Sequence, residues 1–164
     1  MRVRALLSVF ALLLILSVSA NALEKRCVVV GPAGSELKAL AREAAQAQRL
    51  ADELEAYLRN ASPHRATLAG QMAQLEDRIR MLRDALRRFE HHEPKLTEAQ
   101  KHELERLRTA LATLTLFANQ ANRTLAEQEI LTPRERLMAK ARAMRERAAI
   151  IRQSARNLRT LEAA

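Results

Sequence analysis

Three histidines lie close together in the sequence, and imidazole is a common ligand for zinc and other transition metals. They are His91, His92 and His102, on either side of the segment "EPKL". If two helices meet at this segment, the three side chains could approach one another. The single cysteine is far away, however, and the histidines lack a regular metal-ligand spacing. We interpret them as part of a solvated polar loop and expect no metal site.

Other patterns that would support catalysis are missing from the sequence. No Glu-x-x-His pair is present that could build a di-iron centre inside a helical bundle. The segment "GPAG" lacks the Lys and Ser or Thr of a phosphate-binding loop. Three glycines in the whole chain leave little scope for catalytic loops. We therefore expect a protein that is not an enzyme and uses no cofactor.

The placement of charge points instead to binding. Residues 132–164 contain nine basic and three acidic residues, a net charge of +6. At about 100° per helical residue, six arginines of this segment share an acid-free arc beside an apolar stripe. They are Arg134, Arg142, Arg145, Arg152, Arg156 and Arg159. This pattern predicts a face for an anionic partner, or else a solvated face that Glu36, Glu43 and Glu55 partly neutralise.

Four segments have apolar residues at alternating spacings of three and four, which is typical of helices with one buried stripe. The stripes are Leu37, Leu40, Ala44, Ala47, Ala51, Leu54 and Leu58; Leu68, Met72, Leu75, Ile79, Leu82, Leu86 and Phe89; Leu104, Leu107, Leu111, Leu114, Ala118, Ala121 and Leu125; and Leu137, Ala141, Met144, Ala148, Ile151, Ala155 and Leu158. Short connections would bury them most simply in an antiparallel bundle. The alanines in the first and third stripes would permit close helix approach.

The sequence thus predicts an all-α fold, an antiparallel four-helix bundle or helical hairpins with coiled-coil-like heptad seams, over residues 35–164. Helices of roughly 27 residues would make the bundle about 40 Å long. Asn60 can end the first helix in a left-handed conformation, and Ser62 and Pro63 can start the second. The heptad phase also continues through this turn, so a single bent helix over residues 37–89 is the alternative to a hairpin.

The first 34 residues have a different character. Residues 1–22 resemble a secretory signal peptide, with Arg2 and Arg4 before a run without charges and "ANA" as a cleavage site after Ala22. Cleavage would leave an exported, periplasmic or secreted protein. Residues 23–34 read as an extended arm. Their Cys27 is the only cysteine of the chain, so it is a free thiol or forms an intermolecular disulfide.

Two similar pentapeptides, "LTEAQ" at residues 96–100 and "LTPRE" at residues 131–135, precede the third and fourth helices. In each, the threonine can cap the amide three residues on, and Gln100 or Glu135 can reach back to the threonine amide. The leucine before each threonine can act as a hydrophobic staple. Helix capping alone therefore explains both pentapeptides.

The segment "LTEAQKHELERL" also resembles the LTxxQ motif of the periplasmic Spy/CpxP family. This resemblance implies a small exported all-helical protein that acts as a chaperone or stress regulator without ATP. The resemblance covers little more than two helix starts. The second pentapeptide has Glu135 where the motif has Gln, only one helix separates the two, and the first helix carries no motif.

Three functions of different kinds fit these features. The leading hypothesis is a non-catalytic exported bundle that binds a protein partner or client, as a chaperone or adaptor does, through its apolar seam and the arginine-rich fourth helix. The alternative is a peripheral protein whose fourth helix binds a membrane surface or another anionic ligand. The second alternative is a structural coiled-coil homo-oligomer. No nucleic-acid partner is expected.

Overall fold

The computed structural model describes residues 32–60, 64–92, 95–126 and 134–162. These ranges form four helices: α1 (Pro32–Asn60), α2 (Arg65–His92), α3 (Glu98–Ala126) and α4 (Arg134–Glu162). Each has 28 or 29 residues, which corresponds to about 43 Å of helix. The predicted all-α bundle is confirmed. None of the four helices is both long and apolar enough to span a bilayer.

The helices pack as a closed ring in which each contacts its two neighbours in sequence and α4 returns to α1. Two ion pairs fix the direction of α2 against α1: Arg78 to Glu43 at 3.1 Å and Arg88 to Glu36 at 3.0 Å. The later residue of α2 pairs with the earlier residue of α1, so the two helices are antiparallel. The hairpin is therefore confirmed, and the single bent helix over residues 37–89 is wrong.

The predicted stripes form the core. Every stripe residue named above is buried, with at most 9% of its surface exposed. Large side chains dominate on α2, where Phe89 is the largest fully buried residue. Leucine and alanine fill most of the remainder, so burial of aliphatic surface is the main source of stability. The apolar seam of α4 faces this core and not the solvent.

The extent of close packing between neighbouring helices follows the size of the side chains at their contacts. The backbones of α1 and α4 lie close together at the most positions, and those of α2 and α3 at the fewest. Both α1 and α4 carry three buried alanines at the stripe, namely Ala44, Ala47, Ala51, Ala141, Ala148 and Ala155. The stripe of α2 contains no alanine. Small residues allow close helix approach and large ones prevent it, so α2/α3 is the loosest contact of the ring.

Helix ends differ in three details from the sequence-based prediction. Helix α1 begins at Pro32, so residues 32–34 of the predicted extended arm are helical; proline suits the first turn, and Ala33 is buried in the core. Asn60 is the last residue of α1 but does not have a positive φ, so the predicted left-handed ending is wrong. Helix α2 begins at Arg65, after His64, whose backbone N–H donates to the Tyr57 hydroxyl at 3.0 Å.

The start of α3 is a capping box, as predicted for "LTEAQ". The backbone N–H of Gln100 donates to Thr97 Oγ1 at 3.3 Å, and the backbone N–H of Thr97 donates to Gln100 Oε1 at 2.9 Å. Leu96 packs against the core beside them, which agrees with its predicted role as a staple. Residues 131–133 of "LTPRE", the predicted signal peptide, Cys27, Ser62 and Pro63 lie outside the described residues.

We expect Thr97→Ala to lower the free energy of unfolding by about 1 kcal/mol, because it removes the cap acceptor at the start of α3. The control is Thr109→Ala, which replaces an exposed threonine inside the same helix and should not destabilise, since alanine has the higher helix propensity. Urea unfolding of both variants measures the difference. Equal effects of the two substitutions would contradict the capping role.

A candidate partner-binding face on helices α1 and α4

The first of the six predicted arginines, Arg134, is used inside the fold. Its guanidinium donates hydrogen bonds to the backbone carbonyls of Leu58 and Arg59. These carbonyls belong to the last turn of α1, where carbonyl groups have no partner within the helix. A cation there is also favoured by the helix dipole. Arg134 therefore caps α1 from the start of α4.

Two further arginines of the predicted face are also paired internally. Arg142 lies 3.1 Å from Glu55 Oε1, and Arg145 lies 3.3 Å from Asp52 and 3.4 Å from Glu55 Oε2. Arg59 completes the cluster at 2.6 Å from Glu55 Oε1. Glu55 is buried, with 4% of its surface exposed. The predicted neutralisation by Glu55 is thus confirmed for Arg142 and Arg145. Together with Arg134, three of the six predicted arginines therefore have partners within the fold.

Three arginines nearer the C-terminus of α4 have no such acids opposite them. Antiparallel coiled-coil contacts repeat every seven residues in opposite directions along the two helices. The Asp52–Arg145 and Glu55–Arg142 pairs set the register. Seven and fourteen residues before the two acids, the positions of α1 that face this part of α4 are occupied by Ala45, Gln48, Lys38 and Ala41. Within the described residues, Arg152, Arg156 and Arg159 accordingly have no ion-pair partner.

Helix α1 adds two more cations to this end of the α1/α4 surface. Lys38 lies two heptads before Asp52 and so in line with it along α1, and Arg49 lies one turn before Asp52. Both are exposed. Neither has an acidic partner in the described parts of the chain. We call Lys38, Arg49, Arg152, Arg156 and Arg159 the cationic face. Sequence reasoning did not include Lys38 and Arg49, because α1 and α4 become neighbours only in the fold.

The other two carboxylates that were predicted to neutralise the arginines point elsewhere. Glu43 lies 3.1 Å from Arg78 and 3.0 Å from Arg42, and Glu36 pairs with Arg88. Arg78 and Arg88 belong to α2, so both acids serve the α1/α2 contact. The prediction that Glu36 and Glu43 neutralise α4 is wrong. Glu36 and Glu43 lie on the side of α1 that faces α2 and not α4.

The arginine side chains of the cationic face are suited to binding anions. Arginine presents a planar fork of donors that matches carboxylate and phosphate oxygens. Arg152 and Arg159 are seven residues apart, about 10 Å along the helix, with Arg156 between them. Such a row can bind several acidic groups of one partner simultaneously.

The electrostatics of Glu55 reflect its arginine cluster. Burial of this carboxyl raises its pKa, but the hydrogen bond from Arg142 and the charges of Arg142, Arg145 and Arg59 outweigh that effect. The pKa of Glu55 therefore lies below its usual value of 4.5. A carboxylate that is stabilised in the folded state makes the bundle more stable at neutral pH than in acid.

The histidines do not form a common site. His91 and His92 lie in the last turn of α2 with ring centroids 5.6 Å apart, edge to face. His102 lies on the side of α3 that lines a cavity with Asn157 and Leu161 of α4. Among the described residues, no group of three or more His, Cys, Asp or Glu side chains could hold a metal ion.

A second surface, which sequence reasoning missed, runs along the loose α2/α3 contact. Three bridges between side chains cross it: Glu76 accepts from Asn122, Arg83 Nη2 donates to Thr115 Oγ1 at 3.2 Å, and Arg108 Nε donates to Glu90 at 2.8 Å. The bridge residues of each helix are seven apart. This spacing beside the stripes is the sequence signal that could have identified them.

Two cavities lie between the three bridges, and both are lined by Arg83 and Thr115. The first, of about 250 Å³, is also lined by Ile79 and Ala118, and the second, of about 440 Å³, by Leu86 and Leu111. Side chains of the three bridges line these spaces beside the apolar stripe. We call the two cavities together the α2/α3 groove.

We expect Glu55→Gln to lower the free energy of unfolding by about 1–2 kcal/mol at neutral pH, through loss of charge-assisted hydrogen bonds to exposed arginines. The folded pKa of Glu55 lies below the unfolded value. Its stabilisation is therefore complete above the unfolded pKa and is lost as pH falls through the folded pKa. The difference from the wild-type protein should shrink over that range in urea unfolding series.

Glu53→Gln is the matched control, because Glu53 is an exposed neighbour on the same helix without an ion-pair partner in the described ranges. It should change stability by less than about 0.5 kcal/mol at every pH. A Glu55→Gln effect that stays constant down to strongly acidic pH would show that packing, and not the ion cluster, is responsible.

No known protein family, curated protein or solved structure matches this chain. The resemblance of "LTEAQKHELERL" to the Spy/CpxP motif therefore stays a prediction.

Proposed function

We propose that the protein is an exported, non-catalytic helical bundle that binds an acidic partner protein through the cationic face. The observation that carries this proposal is the contrast within α4. Arg134, Arg142 and Arg145 have acceptors on α1, whereas Arg152 and the two arginines after it have no carboxylate partner in the described part of the chain. Like charges at close spacing repel one another, so an external anion would relieve a cost that the fold itself leaves in place.

Because the apolar seam is buried, the folded bundle can bind this partner through its polar surface and not through the seam. Residues such as Met144 and Ile151 have none of their surface exposed, so the folded bundle offers its charged rim to a partner and not its stripe. This favours an adaptor-like contact with an acidic protein surface over capture of exposed apolar segments. Insertion of α4 into a membrane surface would require release of the same stripe from the core, which makes that alternative costlier.

The test measures binding of poly-L-glutamate, as an acidic polypeptide probe, by isothermal titration calorimetry. In the triple variant Arg152→Gln/Arg156→Gln/Arg159→Gln, three surface charge contacts of about 0.5–1 kcal/mol each are lost. Affinity should then fall by about tenfold or more. The wild-type affinity should weaken as salt approaches about 0.15 M, where charges are screened over about 8 Å.

The matched control removes three positive charges elsewhere, with Arg87→Gln, Arg123→Gln and Arg136→Gln on α2, α3 and α4. All three are exposed, and none has an ion-pair partner within the described ranges. If both triple variants lose affinity equally, attraction to overall charge explains the binding and the cationic face is not a site. Binding of anionic phosphatidylglycerol vesicles but not of polyglutamate would instead favour the membrane alternative.

A further inference from the structure

The middle bridge of the α2/α3 groove differs from its two neighbours. Arg108 is paired with Glu90 and Glu105, and Glu90 holds the pKa of Arg108 above its usual value. In the cavity below, Arg80 is paired with Asp77 at 2.5 Å. Arg83 donates to the neutral hydroxyl of Thr115 and has no carboxylate partner in the described chain. The centre of the groove therefore holds an exposed cation whose charge is not neutralised.

A carboxylate could replace Thr115 as the acceptor for Arg83. Hydrogen bonds between a guanidinium and a carboxylate are about twice as strong as those with a neutral acceptor, and can be bidentate. Thr115 would keep its other hydrogen bond, since its hydroxyl also donates to the Leu111 carbonyl at 2.9 Å. Exchange of the acceptor would thus leave no polar group of the bridge without a partner.

The larger cavity beside Arg83 is suited to an apolar chain. Leu86 and Leu111 line it and are among the most exposed residues of the core, at 8% and 5%. It has a volume of about 440 Å³ and is open to solvent on its outer side, so a chain bound there would keep one side exposed. The chain would lie between Arg83 and Arg108, which both line this cavity. Since α2/α3 is the loosest contact of the ring, widening it disturbs the fold least.

We infer that the α2/α3 groove binds a single-chain amphipathic anion of the fatty-acid type. Its carboxylate lies on Arg83 and its alkyl chain lies along Leu86 and Leu111. This site is separate from the cationic face, because the α2/α3 and α1/α4 contacts are opposite each other in the ring of helices.

Calorimetric titration of the purified protein with decanoate, below its micellar concentration, tests this inference. Butyrate has the carboxylate without the chain, and decyltrimethylammonium has the chain with the opposite charge, so both should bind at least about tenfold more weakly. Amide chemical shifts should change along residues 79–90 of α2 and 108–118 of α3. No heat or shift change with decanoate, or equal binding of decyltrimethylammonium, would overturn the proposal.

Variants locate the two ends of the ligand. Arg83→Gln should weaken decanoate binding about tenfold, as expected for one charge-assisted hydrogen bond, and Arg123→Gln, an exposed charge-matched control outside both cavities, should not. Ala112→Phe fills the larger cavity from its exposed rim and should reduce binding similarly. If either groove variant folds, by circular dichroism, and binds like the control, the proposed position is wrong.

The same titration separates this proposal from the proposed function. The triple variant of Arg152, Arg156 and Arg159 should bind decanoate with unchanged affinity, and Arg83→Gln should bind polyglutamate like the wild-type protein. Loss of decanoate binding in the triple variant would place the ligand on the cationic face and refute the groove.

Discussion

The close packing of α1 against α4 is the constraint on which the other features of the bundle depend. Alanines at three stripe positions of each helix bring the two backbones together, so side chains at the flanks of this contact can reach across it. That is why Arg134 reaches the last carbonyls of α1 and why Arg142 and Arg145 reach Glu55. The large stripe of α2 has the opposite effect at the α2/α3 contact, where long polar side chains span a wider gap.

Much of this fold could be predicted from the sequence because its determinants are local or periodic. The heptad stripes identified the core residues by spacing alone. Thr97 and Gln100, which are three residues apart, identified a helix start. Both signals lie within one helix, and no knowledge of the neighbours is needed to read them. The start of α1 was placed too late for a related reason: Ala33 becomes part of the core only when another helix packs against it.

The candidate site could be predicted only in part. The arc of six arginines on α4 follows from helical geometry, but which of them are free depends on the register between α4 and α1. Glu55 and Glu43 look equivalent in the sequence, yet one faces α4 and the other faces α2. Lys38 and the α2/α3 bridges escaped notice for the same reason. Contacts between helices, not within them, decide the chemistry of this surface.

The two ends of the α1/α4 contact differ in whether the arginines of α4 have acidic partners on α1. At one end, burial of Glu55 is tolerated because three arginines surround it, and each of them offsets part of the cost of burying its charge. At the other end, the corresponding positions of α1 are Ala45, Gln48 and Lys38, and the arginines opposite have no ion-pair partner among the described residues. Contacts within the fold therefore explain Arg134, Arg142 and Arg145 but not Arg152, Arg156 and Arg159. The proposed recognition of an anion would account for the clustering of these last three arginines on one side of α4, which ion pairing within the described residues does not.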